Sequence, residues 1–464
     1  EPAGTIVITL RGGSVTATGG ENGAGIGGGD QQSGPVTIQG WGDVEATAGN
    51  QAAAIGAGRQ KHAHQITIEG WGSDEDAHPL HIVCHAATGE AQYAALVGSG
   101  DGSFEGSDGI TVRGAYLECD HRRTIAYGAD VGTGHSSDLS LSDHGIDTIS
   151  VANSLVRVTN ADASYGAGIG AGDGSTVGHV TLDGVDYQGG TVGGSANYNV
   201  LMHGSNDVQS ISIANSKVVA HAFDFGVPWA GIGSGTFGTP ESIEITDSEI
   251  DAEGAAGGAG IGSGGLYLPS KRAFKLEQYI TTAGKCGSVA IAGSAVRAVG
   301  RGGGAGIGGG VMTSVKGLMT IRGSDVFAKS DTTGAGIGGG ESCGAASIRI
   351  EDCSVVAEGG RLSAGIGTSG WGDDGAAGAF ADVIGTLWNV TLGDVTLSGS
   401  VVTATGGDGA AGIGTGQGAQ FSAGCGITII GGEVTATGGV HGAGIGAGTE
   451  GILGRGGDAY FVVV

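Results

Sequence analysis

The sequence is poor in the residues that usually announce a function. Its six cysteines form no Cys-x-x-Cys pair, which speaks against a zinc ribbon. Six prolines and few long apolar side chains among 464 residues suit short strands and tight turns. Lysine and arginine number 20 against 46 acidic residues, a net charge of −26. That balance argues against nucleic acid and against anionic membrane surfaces as partners. It leaves room for structural Ca²⁺ and favours neutral or cationic ligands, although solubility of an extracellular protein explains it equally well. No apolar run approaches the ~20 residues of a membrane span. The chain opens at Glu1-Pro2-Ala3-Gly4 with neither Met nor an apolar leader, as expected of a mature or trimmed polypeptide.

What is abundant is glycine, at 104 residues, and it is ordered in phase. The pattern Gly-Ala-Gly-Ile-Gly returns with its central apolar residue at Ile26, Ile55, Val97, Val131, Ile169, Met202, Ile232, Ile261, Ile307, Ile337, Ile366, Ile413 and Ile445. Spacings of 29 to 47 residues mark one structural unit per period with loops of variable length, the signature of a repeat architecture. Each period begins with a short alternating strand such as Ile66-Thr67-Ile68 or Ile427-Thr428-Ile429. Next comes a residue drawn only from Gly, Asn and Asp: Gly12, Gly40, Gly70, Gly114, Asn153, Gly184, Asn215, Asp247, Gly293, Gly323, Asp352, Gly399 and Gly431. These types tolerate the left-handed backbone region, so a corner is expected at one phase. A second strand follows, as in Glu433-Val434-Thr435-Ala436-Thr437, then a Gly-rich bend into the Gly-Ala-Gly-Ile-Gly face.

Three short faces per turn resemble the right-handed parallel β-helix proteins of the pectin-lyase-like superfamily, over nearly the whole chain. The resemblance implies the all-β solenoid fold and its handedness, and the thirteen repeats give about 13 coils. It implies no activity, because that fold serves lyases, glycosidases, esterases and adhesins alike. A left-handed β-helix lacks support because its hexapeptide period is absent, and a propeller would need four strands per blade. The expectation is one domain, residues 1–464, with insertions around 60–90, 135–147, 266–286 and 370–392. Loops on one side of a rigid scaffold are where grooves are built.

Positions that break a repeat need a reason other than the scaffold. Asp130 stands where neighbouring coils carry Gly25 and Gly168, while Leu96 and Leu201 occupy that phase in coils three and six. Four residues after the central apolar position stand Asp101, His135 and Asp173, which stacking would bring into one ladder. Carboxyls one or two rungs apart suit glycosidic-bond chemistry, and crowding raises one of their pKa values. The ordinary alternative is a solvated edge of turns, where Asp is common. Asp130 is therefore the first candidate for an essential carboxylate, with Asp101 or Asp173 as partner. Arg122, Arg123, Asp120, His135 and His203 are candidates for positioning substrate, and Asp224 with Trp229 for holding a sugar ring.

Cys84 and Cys119 share a phase and are expected to stack, as a disulfide or as two buried thiols. Cys84 with His85 also permits nucleophilic catalysis, though a buried thiol is the commoner outcome. His62, His64, His78, His81 and His85 invite a metal reading, but no His-Glu-x-x-His motif or Cys partner accompanies them. No cofactor is expected beyond structural Ca²⁺. The reading is a secreted or cell-surface bacterial enzyme acting on an oligo- or polysaccharide by hydrolysis or glycosyl transfer. The competing classes are a non-catalytic adhesion or glycan-binding module and a polysaccharide lyase using Arg or His as base. A homotrimer is the oligomer such a scaffold allows.

Overall fold

Strands of alternating β-branched residues bury one face and expose the other, and here each pairs in parallel with its equivalent one coil on. The computed structural model describes residues 4–29, 34–49, 51–61, 64–71, 79–88, 91–102, 108–122, 124–136, 145–159, 163–195, 207–224, 226–236, 238, 240–265, 285–370, 390–449 and 462–463. Most of the three insertions expected at 135–147, 266–286 and 370–392 lies outside these residues. So do His62, His78, Arg123, Leu201, Met202 and His203. The chain forms two compact units, Glu1–Phe223 and Asp224–Val464.

In the first unit the first-face column runs Ile38, Ile68, Val112, Val151, Leu182, Ile213. The second-face column is Val44, Ile82, Leu117, Val156, Tyr187, Val218. The third face contributes two-residue strands stacked as Ile26, Ile55, Val97, Val131, Ile169 and Val192. Each fully buried aliphatic side chain in these columns contributes about 1.5–3 kcal/mol. The sixth position corrects the sequence reading. Val192-Gly193, not Met202, pairs with Ile169-Gly170. The residue at the Asp130 phase of that coil is accordingly Thr191, which is buried. This coil is shorter than any spacing in the sequence pattern, because its bend between faces two and three is only a few residues.

The second unit repeats the plan more uniformly. Its columns are Ile245, Ile291, Ile321, Ile350, Leu397, Ile429 on the first face and Ala252, Ala298, Ala328, Ala357, Ala404, Ala436 on the second. Ile261, Ile307, Ile337, Ile366, Ile413 and Ile445 follow Ile232 on the third. Val462–Val463 adds a further short strand beside Ile427-Thr428.

Of the thirteen predicted corner residues, twelve have φ between 47° and 112°, with Asn153, Asn215, Asp247 and Asp352 among them. Gly70 is the exception and does not have the left-handed φ. A buried serine follows many corners. Ser294 Oγ accepts the Ser248 N–H at 3.1 Å and donates to Ala292 O at 2.7 Å, and Ser324 and Ser400 repeat the arrangement. These hydroxyls satisfy backbone groups that the sharp bend would otherwise strand in the core.

Candidate functional site

The third face is a tight loop, and its geometry decides which side chains meet. In every coil but the sixth, the alanine N–H two residues before the central residue bonds a carbonyl four residues on, as in Ala95 N to Ser99 O at 3.0 Å and Ala129 N to Thr133 O at 2.9 Å. Positions four before and four after the central residue are thereby drawn together across coils. His135 N donates to Tyr93 O at 2.7 Å and Asp173 N to Tyr127 O at 2.9 Å. Along the stacking direction Gly102 N donates to His135 O and Ser136 N to Asp173 O. Asp101, His135 and Asp173 thus occupy successive rungs.

Within that column Asp101 Oδ1 lies 3.1 Å from His135 Nδ1, and the two side chains are 18% and 16% exposed. Asp173 is buried at 4%. Beside them Tyr93, Tyr127 and Tyr165 stack face to face with centroids 4.9 and 5.0 Å apart. The His135 ring stands edge-on to Tyr93 and Tyr127. The tyrosine column escaped the sequence reading, although its signal was there: a tyrosine four residues before the central position in three consecutive coils. The rings cover one another's faces, so mainly their edges remain for a ligand.

Asp130 lies elsewhere. It is 2% exposed, and its carboxylate pairs with Nε2 of the equally buried His121 inside the coil. The phase points inward because it is a glycine phase: a Cβ on Gly168, one rung on, would stand 1.9 Å from Tyr187 Oη. Tyr187 Oη instead donates to Gly190 O at 2.9 Å. Burial alone would lower the His121 pKa, but the charge and hydrogen bond of Asp130 outweigh it and hold the imidazole above its ordinary value. Burial, then the Asp130 charge, pushes the Cys84 and Cys119 thiols and the Tyr187 phenol up. Cys84 and Cys119 are register partners and free buried thiols. Neither has the low-pKa, exposed setting of a nucleophile, and His85, next in the chain, points outward to Asp120 at 3.0 Å and Glu45 at 3.2 Å.

The remaining sequence candidates are dispersed. Asp120 holds His85 and accepts the Arg122 N–H at 3.0 Å; Arg122 itself turns the chain with φ 48°. Asp224 and Trp229 belong to the second unit. Asp224 is exposed and caps Gly226 N at 3.1 Å, whereas Trp229 is 1% exposed, its ring packed in the core rather than open to a sugar. Among the described residues no group of three or more His, Cys, Asp or Glu is placed to hold a metal ion.

A groove of about 1100 Å³ opens in the second unit, distant in sequence from every predicted residue. One wall is the outward column Arg349, Thr396, Thr428, which successive strands bring into register. Ser314, Ser347, Thr391 and Ser422 add hydroxyls, and Lys316 and Asp394 add charges of opposite sign. Asp394 Oδ1 accepts the Gly426 N–H at 3.0 Å, which fixes that carboxylate. Ser342 Oγ, fully buried at the groove lining, has no hydrogen-bond partner among the described residues.

Comparison with known proteins gives the architecture and nothing finer. No helix among the described residues is long and apolar enough to cross a membrane. No curated protein and no solved structure matches the chain. A family model described as the Beta helix repeat matches residues 8–30, 36–59, 320–341, 395–417 and 427–449. With parallel strands stacked coil upon coil in both units, this is an all-β parallel β-helix repeat protein.

Proposed function

We propose that the protein is a non-catalytic glycan-binding β-helix of the secreted or cell-surface kind, and that the groove of the second unit is its binding site. One observation carries the reading. Arg349, Thr396 and Thr428 repeat at the rung spacing of about 4.8 Å, close to the length of one hexopyranose unit. A polymer of sugars laid across the rungs would present successive rings to successive donors. The groove is lined by hydroxyls with a few fixed charges, the composition that orients a polar ligand through many modest hydrogen bonds. Burial of Asp130 weighs against glycosidic-bond cleavage by an Asp130 pair, since the carboxylate is spent on His121.

The test is a titration of the purified chain against a panel of oligo- and polysaccharides, with product analysis in parallel. Binding without product, lost at least tenfold in Thr396→Ala/Thr428→Ala, is the expected result. Retention of full affinity in that variant removes the groove from the reading.

A second reading, polysaccharide cleavage, rests on the Asp101–His135 pair. A carboxylate on Nδ1 fixes the tautomer and leaves Nε2 for proton transfer. Asp101 and Asp173 stand two rungs apart, roughly 10 Å by strand spacing, with the imidazole between. Release of product that disappears in His135→Ala would favour this reading over the first.

A further inference from the structure

We infer that Arg322, which lies outside the groove, is a positioning residue for it: by holding Glu351 it keeps the Arg349 guanidinium free to meet a ligand. This rests on the reading of the groove as a binding site and adds a determinant of its affinity. Stacking places the three side chains together. Arg349 and Glu351 are two residues apart on the strand Ile348–Glu351 and share its outward side. The preceding rung sets Arg322 beside Glu351, and the following rung sets Thr396 beside Arg349. Arg349 and Thr396 line the groove, whereas Arg322 and Glu351 do not.

Two cations therefore compete for one carboxylate, and the geometry shows which of them holds it. Arg322 Nε donates to Glu351 Oε2 at 2.8 Å, and its Nη2 donates to the same oxygen. Glu351 Oε1 lies toward Arg349, whose Nε stands 3.9 Å away, too far for a hydrogen bond. Among the described residues the Arg349 guanidinium makes no hydrogen bond, and its side chain is 49% exposed. Arg297 and Arg301 in the same unit each donate to a carboxylate instead. Removal of Arg322 would leave Arg349 as the remaining cation in reach of Glu351 among the described residues. The gap then closes by rotation of side-chain bonds, with no movement of the strand. A guanidinium closed on a carboxylate has fewer N–H donors left for a ligand. The ligand must break that exposed ion pair first, which lowers affinity about two- to fivefold.

The test makes two measurements on the full chain carrying Arg322→Ala, Glu351→Gln or both. The first is the rate at which phenylglyoxal modifies Arg349, read by mass spectrometry of the peptide that carries it, and it needs no glycan. Arg322→Ala should slow that reaction about two- to fivefold. The double variant should recover at least the wild-type rate, and Glu351→Gln alone should not fall below it. The second is the titration against oligo- and polysaccharides, in which affinity should follow the same order. Circular dichroism verifies that all three variants fold. Equal Arg349 reactivity in wild type and Arg322→Ala overturns the inference, as does a double variant that stays slow. A loss of affinity in Glu351→Gln alone also overturns it, because Glu351 would then be supporting Arg349 rather than competing for it. The two readings fail separately. Reactivity in the expected order, in a chain that binds no glycan of the panel, keeps the coupling and removes the binding site. Glycan binding that Thr396→Ala/Thr428→Ala abolishes and Arg322→Ala leaves unchanged keeps the site and removes the coupling.

Discussion

The two units use one scaffold and hold it with different charges. In the first, five histidines lie against carboxylates: His64 by Asp108, His81 by Asp43, His85 by Glu45 and Asp120, His121 by Asp130, His135 by Asp101. In the second, the cross-rung pairs among the described residues are Arg297–Asp251, Arg301 with Glu253 and Asp331, Arg322–Glu351 and Lys329–Glu358, a type the first unit shows in Arg157–Asp186. Arginine and lysine keep their charge across the physiological range, whereas the buried His121 imidazole has its pKa raised by the charge of Asp130 against the opposing effect of burial. Strand stacking fixes where a partner stands, and residue choice fixes whether the attraction depends on acidity. Through His121 the first unit is expected to be the more pH-dependent of the two.

The largest effect should come from the buried pair. Asp130→Ala leaves His121 buried without its counter-charge, and removing one partner of such a pair costs about 3–5 kcal/mol. Asp130→Leu/His121→Leu should recover most of that loss, since the inward space then holds apolar atoms. Hydrogen exchange of first-unit strands under native conditions reads both. Equal destabilisation by the single and double changes would mean that the pair is not coupled.

The same pair gives the comparison a pH axis. His121 has its pKa raised in the folded chain, so its contribution is fully present below the unfolded value near 6.5. It is lost as pH rises through the higher folded value. Protection of the first unit should fall above about pH 6.5, and this slope should vanish in the Leu/Leu variant. The Arg–Glu pairs of the second unit should show no such slope in that window. A first unit indifferent to pH between 6 and 9 would contradict the assignment.

A glycine substitution separates the units next. Gly168→Ala drives a methyl toward Tyr187 Oη, a flexible-end clash costing about 1–3 kcal/mol, and Tyr187→Phe should restore part of it. Gly306→Ala in the second unit meets the backbone N of Lys329 at 2.4 Å, so no single side-chain change should rescue it. Thermal unfolding of Gly168→Ala, Gly168→Ala/Tyr187→Phe and Gly306→Ala checks the contrast. Smallest of all, Arg322→Ala removes a pair whose arginine is 60% exposed; about 0.2–1 kcal/mol is the expected loss by urea titration.

How much was legible follows from what stacking can and cannot encode. Periodicity shows in the sequence, so the fold, the corner residues and the Asp101–His135–Asp173 column could be read from phase alone. Coil six could not, because Met202 imitates a central residue while the true rung, Val192-Gly193, is too abbreviated to match the motif. The direction of Asp130 was equally hidden. A glycine phase has no side chain to declare which way it faces, and only Tyr187 packed beneath Gly168 reveals that it faces inward. The groove lay in the regular coils, where Arg349, Thr396 and Thr428 break no pattern; a search for exceptions passes over them.

The repetition of Val-Thr-Ala-Thr-Gly-Gly in rungs 402–407 and 434–439 also has a genetic consequence. Misaligned recombination between the stretches encoding them would insert or delete one whole turn without frameshift in the pairing register. Natural length variants of this gene should therefore differ by complete periods, with the junction residues unaltered.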